Sequence, residues 1–207
     1  MKQRHHLIAL MLIASGMVLA AFALSNPWFE LGFIGYTDRI EGGIYTGEYR
    51  CFPTYFEFHD AGYHSTPGSS PWYGGIAEYR DLMSIMGYLT VSTVMTSMAF
   101  LALLISNKRH LAIALGAVSA GLALTACLYF ALEVGGAVSI YDSGEASQDI
   151  PDSFAGAATD TSGTDWTWGP APGWGIMMFA GVSILAATVY EALADIKAST
   201  TLEDSKK

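Results

Sequence analysis

Two kinds of apolar pattern share this chain. The first is continuous. Leu7–Leu24, Leu82–Ile105, Leu111–Leu132 and Trp174–Leu193 are nearly unbroken apolar runs. Each approaches the ~20 residues that cross a hydrocarbon core as a helix. No water reaches that core, so backbone groups must bond within the segment, which again predicts helices. The second kind is short and alternating. In "GGIYTGEYRCF", Ile44, Thr46, Glu48 and Arg50 fall on one side, and Tyr45, Gly47, Tyr49 and Cys51 on the other. "TYFEFH" sets Phe56 and Phe58 against Glu57 and His59. With Gly35, Gly42, Gly43 and Pro53 as punctuation, Gly32 to His59 predicts a small antiparallel sheet. A two- or three-strand hairpin is marginal alone, so this sheet needs the helices for support.

The fold class that follows is a membrane all-α four-helix bundle with a small antiparallel sheet in its first outer loop. Helices are expected over 1–24, 82–105, 111–133 and 172–194. A β-rich loop at 25–81, a turn at 106–110, an irregular loop at 134–171 and a tail at 195–207 complete the order. The turn "SNKRH" is short enough to force a tight helical hairpin. Residues 141–165 hold few large apolar side chains, and there an irregular loop is expected. Trp28, Trp166, Trp168 and Trp174 flank apolar runs, where interfacial tryptophans concentrate. The first run has a second reading. "MKQRHH" before it and "AAFALS" at its end also fit a cleaved secretory signal, although its apolar core is longer than usual for one.

Charge orients the spans. Lys2 and Arg4, Lys108 and Arg109, and Lys197, Lys206 and Lys207 cluster at the termini and the short turn. Segment 25–81 sets three arginines against eight acids, and 134–171 has six acids and no Lys or Arg. Cytoplasmic flanks carry the excess of Lys and Arg, so both termini and the turn are expected inside a cell membrane and both long loops outside. That places Cys51 on the oxidising side, without a second cysteine in its loop. A buried thiol, a bridge to Cys127 and a bridge between two copies all remain open at this level. In the third run, Ala117, Gly121 and Thr125 share one helix face, and Gly116 and Ala120 another. Small residues let membrane helices approach closely, either within the chain or between copies.

This order of four runs, a large first loop, a tiny turn and a smaller second loop resembles the claudin and peripheral-myelin-protein tetraspan superfamily. Trp28 stands where that family has its first-loop tryptophan. Gly43, Ile44, Tyr45 and Cys51 resemble its Gly-Leu-Trp followed by a cysteine. Arg80 in "AEYRDLM" resembles the arginine that enters span two, and Gly173-Trp174 the Gly-Trp that opens span four. The resemblance implies a non-enzymatic membrane protein of structural or adhesive role, with Trp28, Tyr45, Cys51, Arg80 and Trp174 as interaction positions. Its partners would be the lipid bilayer and other membrane proteins or further copies of itself. Tyr45 replaces the family's tryptophan, and the second loop cysteine is missing, so the family's intraloop disulfide cannot form.

Chemistry-bearing clusters are few. Glu57, His59 and His64 in "EFHDAGYH" offer a carboxylate and two imidazoles, a donor set for Zn²⁺ or another divalent ion, at a spacing that matches no established site. Thiol redox, haem, metalloprotease, serine-hydrolase and phosphate-loop motifs are absent. No run carries a charge at its centre, against a pump or transporter. The acidic balance, −9 overall, argues against nucleic acid. No cofactor is expected. Besides the interaction role, a metal-binding membrane enzyme or subunit and a channel or channel accessory subunit remain as alternatives.

Overall fold

The computed structural model describes residues 2–37, 43–53, 55–60, 68–70, 77–144, 153–159 and 163–204. In chain order these form α1 (Lys2–Ala23), β1 (Phe29–Thr37), β2 (Gly43–Cys51), β3 (Phe56–Asp60), β4 (Gly68–Ser70), α2 (Ala77–Ile105), α3 (Arg109–Gly144), β5 (Gly156–Thr159), β6 (Asp165–Pro170) and α4 (Pro172–Asp204). Three of the four helices described are long and apolar enough to cross a membrane, over Arg80–Ile105, Arg109–Gly135 and Pro172–Ile196. The apolar stretch of α1, Leu7–Ala23, is shorter. At 1.5 Å per residue it spans about 25 Å, the lower end of what crosses.

The chain divides into two compact units. One comprises Met1–Phe22, Leu89–Ala126 and Ile176–Lys207. Its interior combines small and hydroxylated residues with the large apolar side chains of Ile13, Phe100, Leu104, Met177 and Ile184. Ala9, Ile13, Gly16 and Ala20 face inward on α1, Thr90, Thr93, Ser97 and Phe100 on α2, Ala112, Gly116, Ser119 and Ala120 on α3, and Ala180, Ile184, Ala187 and Thr188 on α4. Other large apolar side chains point out: Met11, Val18, Met95, Val118, Phe179, Val182 and Leu193 are each at least half exposed. Small inward-facing residues let helix backbones approach closely, as helices do where they pack in lipid. The contacts are that close. A Cβ on Gly16 would lie 2.6 Å from the Ile184 side chain, and one on Gly116 would meet both the Phe100 ring and the Thr188 hydroxyl. The two small-residue stripes of α3 therefore part. Gly116 and Ala120 pack within the chain, whereas Ala117, Gly121 and Thr125 are exposed.

Buried hydroxyls in this unit are satisfied. Ser97 and Ser119 share a 2.6 Å hydrogen bond between α2 and α3. Ser119 donates to the Thr93 carbonyl at 3.2 Å, so the Ser97 hydroxyl is the donor to Ser119. Thr93 and Thr188 bond back to the carbonyls of Leu89 and Ile184. The hairpin between α2 and α3 closes on Asn107 in the left-handed region, φ 57°. Lys108 N–H reaches Leu103 O at 3.0 Å and Asn107 N–H reaches Leu104 O at 3.1 Å. That pair of bonds is a Schellman cap, with asparagine in the glycine position.

The second unit, Ala23–Tyr88 and Cys127–Gly175, holds a six-stranded antiparallel sheet in the order β4-β3-β2-β1-β6-β5. β2 and β3 lie where the alternation places them. The sheet is not confined to the first loop, however. β5 and β6 come from 134–171, the segment expected to be irregular, and β6 pairs with β1 from Phe29↔Pro170 to Ile34↔Asp165. The signal was present in "DWTWGP": Trp166 and Trp168 alternate with Asp165, Thr167 and Gly169, a strand period that their reading as interfacial anchors obscured. Helix ends differ too. α3 runs to Gly144 rather than 133, and α4 to Asp204 rather than 194.

Register sorts the two faces of the sheet. Phe29, Leu31 and Phe33 of β1 stand opposite Cys51, Tyr49 and Gly47 of β2 and opposite Pro170, Trp168 and Trp166 of β6. Phe33 lies over bare Gly47, where a Cβ would overlap its ring. Its ring centroid is 5.0 Å from that of Trp166. Phe130 of α3 receives Trp28 edge-on at 5.6 Å and Phe29 at 6.1 Å. Alternate residues make the opposite face, where Ile34 joins residues that are polar or lack a side chain: Glu30, Gly32, Thr46, Glu48, Arg50, Glu57, Thr167 and Gly169.

Candidate functional site

The interaction positions expected from the sequence separate into buried and exposed ones. Trp28 is fully buried. Its indole N–H donates to the Ala23 carbonyl at 3.0 Å, closing the last turn of α1. Its backbone bridges two strands, with N–H to Cys51 O at 2.8 Å and its carbonyl accepting from Ala171 N at 3.0 Å. Cys51 is 5% exposed and unbridged, as is buried Cys127. Trp174 is half-buried and donates its indole N–H to Cys127 O at 3.0 Å, with Phe154 beside its ring. These three residues join the parts of one unit. Arg80, by contrast, is exposed on α2 and pairs with Asp81 at 2.9 Å. Tyr45 stands opposite Gly35 in the β2 register, and its side chain lies outside the described residues.

Burial pushes the Cys51 thiol up to about 12, with a smaller push from the Glu30 charge. The thiolate is the nucleophile, so this thiol stays unreactive at neutral pH. We expect maleimide at pH 7.5 to label neither cysteine until the protein is unfolded, and a monomer on gels run without reductant. A reductant-sensitive dimer that disappears in Cys51→Ala would overturn this.

Of the suggested metal set, Glu57 sits in β3 opposite Arg50 and Ser69. His59 is opposite Glu48 in register, but its side chain and all of His64 lie outside the described residues. Among the described residues no cluster of three or more His, Cys, Asp or Glu could hold a metal ion.

What the sequence did not reveal is the shape of the polar face. A trough of about 610 Å³ runs over β2, β1 and β6, lined by Glu30, Gly32, Phe33, Ile34, Thr46, Gly47, Glu48, Thr167, Trp168, Gly169 and Pro170. Arg50 adjoins it, held by Glu48 at 3.0 and 3.2 Å and reaching Glu30 at 3.7 Å. The hydrogen bond to Glu48 raises the Arg50 pKa, so its charge is fixed. Glu30 is held above the usual carboxylate range, first by burial and then by the charge of Glu48. The trough's polar side chains are the carboxylates of Glu30 and Glu48 and the hydroxyls of Thr46 and Thr167. No protein-family model matches the chain, and no curated protein matches it either.

Proposed function

We propose that the chain is a four-span integral membrane protein of claudin-like, tetraspan type, which engages other membrane proteins or copies of itself through its two outer segments and performs no catalytic step. One observation carries this reading: the segment between α1 and α2 and the segment between α3 and α4 share a single sheet. Strands that hydrogen-bond to one another lie on one side of a membrane. The α2–α3 hairpin, turning at Ser106–Lys108, leaves and returns to that side, as two spans must. The basic residues of the turn and termini assign the opposite side to the cytoplasm. With α1 as the fourth span, no span carries a charge at its centre, which favours binding over transport.

Single cysteines introduced between 153 and 159, in a Cys51→Ala, Cys127→Ala background, test the topology in intact cells. Labelling by a membrane-impermeant maleimide from outside is the expected result. Labelling only after the cytoplasmic side is opened would overturn it. Cross-linking in native membranes with mass spectrometry then tests the interaction role. Cross-links from 25–81 or 153–170 to another protein or a second copy are expected; a chain that cross-links only to itself would overturn that role.

A further inference from the structure

We propose that the polar trough of the sheet docks an extended, positively charged polypeptide segment, with a Lys or Arg over Glu30 and Glu48 and an aliphatic residue about four positions away over Ile34. The inference rests on the interaction role above and names the partner's chemistry. Shape is the first argument. Gly32 and Gly169 are diagonal neighbours in the register and leave part of the floor without side chains, with Thr167 opposite Gly32 and Glu30 opposite Gly169. Three strands at ~4.8 Å spacing make the trough about 10 Å across. Glu30 to Ile34, four residues along β1, gives it about 14 Å of length. It lies open along a sheet face, whereas small-molecule sites enclose about 70–90% of their ligand. An extended segment of about four residues matches those dimensions, and its alternate side chains would point into the trough together.

Charge is the second argument. Glu30, Glu48 and Glu57 surround Arg50, three carboxylates to one guanidinium. Arg50 is committed to Glu48 through two hydrogen bonds and touches Glu30 only at 3.7 Å. A cation arriving at Glu30 meets a carboxylate that Arg50 reaches only at 3.7 Å and without a hydrogen bond. It also relieves the repulsion between Glu30 and Glu48 that already disfavours ionised Glu30. Ile34, at the far end, is 47% exposed, an apolar contact that a purely electrostatic partner would not use. Electrostatic complementarity of this kind sets partner choice and encounter rate, so binding should weaken as salt rises.

The test uses the full-length protein in phosphatidylcholine nanodiscs, whose neutral headgroups do not compete. The probe is a fluorescein-labelled peptide of alternating lysine and threonine with one valine four positions from a lysine, followed by anisotropy. Saturable binding is expected. Glu30→Gln should weaken it about fivefold, the upper range for a partly exposed ion pair. Gly169→Val should weaken it about tenfold or more, because its side chain fills the floor. A Cβ at Gly169 meets nothing closer than the Ala155 Cβ at 3.6 Å and valine suits a strand, and an unfolding midpoint equal to that of the unmodified protein checks that the variant folds. Asp81→Asn, exposed on α2, should leave binding unchanged. Absence of binding, or equal loss with Asp81→Asn and Glu30→Gln, overturns the proposal. So does binding untouched by Gly169→Val. Spermine that binds as tightly as the peptide, with the same dependence on both variants, overturns the polypeptide occupant. Native-membrane cross-links to a partner elsewhere on the outer segments would refute the trough while leaving the broader interaction role standing.

Discussion

Trp28→Ala is expected to destabilise the sheet-bearing unit by about 3–5 kcal/mol, the cost of removing a fully buried large aromatic. The ring is 0% exposed and meets Phe130 edge-on at 82°, an arrangement worth more than its area alone. Two further losses follow. The Ala23 carbonyl at the end of α1 loses its donor, and helix-terminal carbonyls are costly when buried without one. The cavity would also open beside Gly173, whose missing side chain exists to admit this ring: a Cβ there would lie 2.6 Å from Trp28 Cδ1 and 2.6 Å from Pro27 O. Trp28→Phe retains most of the ring and loses the indole N–H, and should cost about 1–3 kcal/mol. Denaturant unfolding in nanodiscs, read by near-ultraviolet circular dichroism, measures both. Cys51 supplies an independent reporter, because its carbonyl accepts from Trp28 N–H and its thiol is shielded in the fold. Trp28→Ala should expose Cys51 to maleimide. A loss below about 1 kcal/mol with Cys51 still protected would refute this account.

The helices were legible because length and composition suffice for them. A run such as Leu111–Leu132 has one stable conformation in hydrocarbon, and no tertiary contact is needed to infer it. β2 and β3 were legible for a similar reason, since alternation in "GIYTGEYRC" and "FEFHD" reports faces directly. β5 was not, because "GAAT" has no apolar alternation to show. Its place follows from Trp168, which covers Gly156 across the pair, a contact between residues twelve apart that no local pattern encodes. Trp28 and Trp174 stand out in the sequence as tryptophans flanking apolar runs and through a family resemblance, whereas their physical role lies in packing: ring against bare glycine, indole against carbonyl. The trough was invisible for the same cause. Gly32 and Gly169 are 137 positions apart and become one floor only through the β1–β6 register.

The direction in which small residues face was the other thing sequence could not decide. Gly116 and Gly121 look alike along the chain, yet one touches Phe100 and Thr188 while the other meets nothing within 4 Å. A helix with small residues on two faces has two possible seams, and which is used depends on the neighbours. Here α2 and α4 take the Gly116 side. Periodicity supplied the candidates, and helix packing made the choice.

The same packing brings charge together within the helical unit, and there the second large effect is expected. Arg109, the first residue of α3, and Glu191 on α4 lie with Nε and Oε2 3.9 Å apart. Glu191 is 2% exposed and Arg109 29%. Removing one member of a buried pair strands the other charge in a medium that cannot solvate it, at ~3–5 kcal/mol. Arg109→Met should fall near the lower end, about 3 kcal/mol, because the arginine side chain still reaches water. Glu191→Gln removes the charge and keeps a polar group of the same shape, and should cost about 1 kcal/mol. The double variant Arg109→Met, Glu191→Gln should then be more stable than Arg109→Met alone, with a coupling of about 1–2 kcal/mol. His110 and Asp195, 3.5 Å apart with His110 89% exposed, form the control. Water screens that pair, so Asp195→Asn should shift stability by no more than about 0.5 kcal/mol. Denaturant unfolding of the four variants in nanodiscs measures the cycle. Additive effects of Arg109→Met and Glu191→Gln would show that the two side chains do not interact. A loss in Asp195→Asn as large as in Arg109→Met would place the effect on surface charge in general and not on the buried carboxylate.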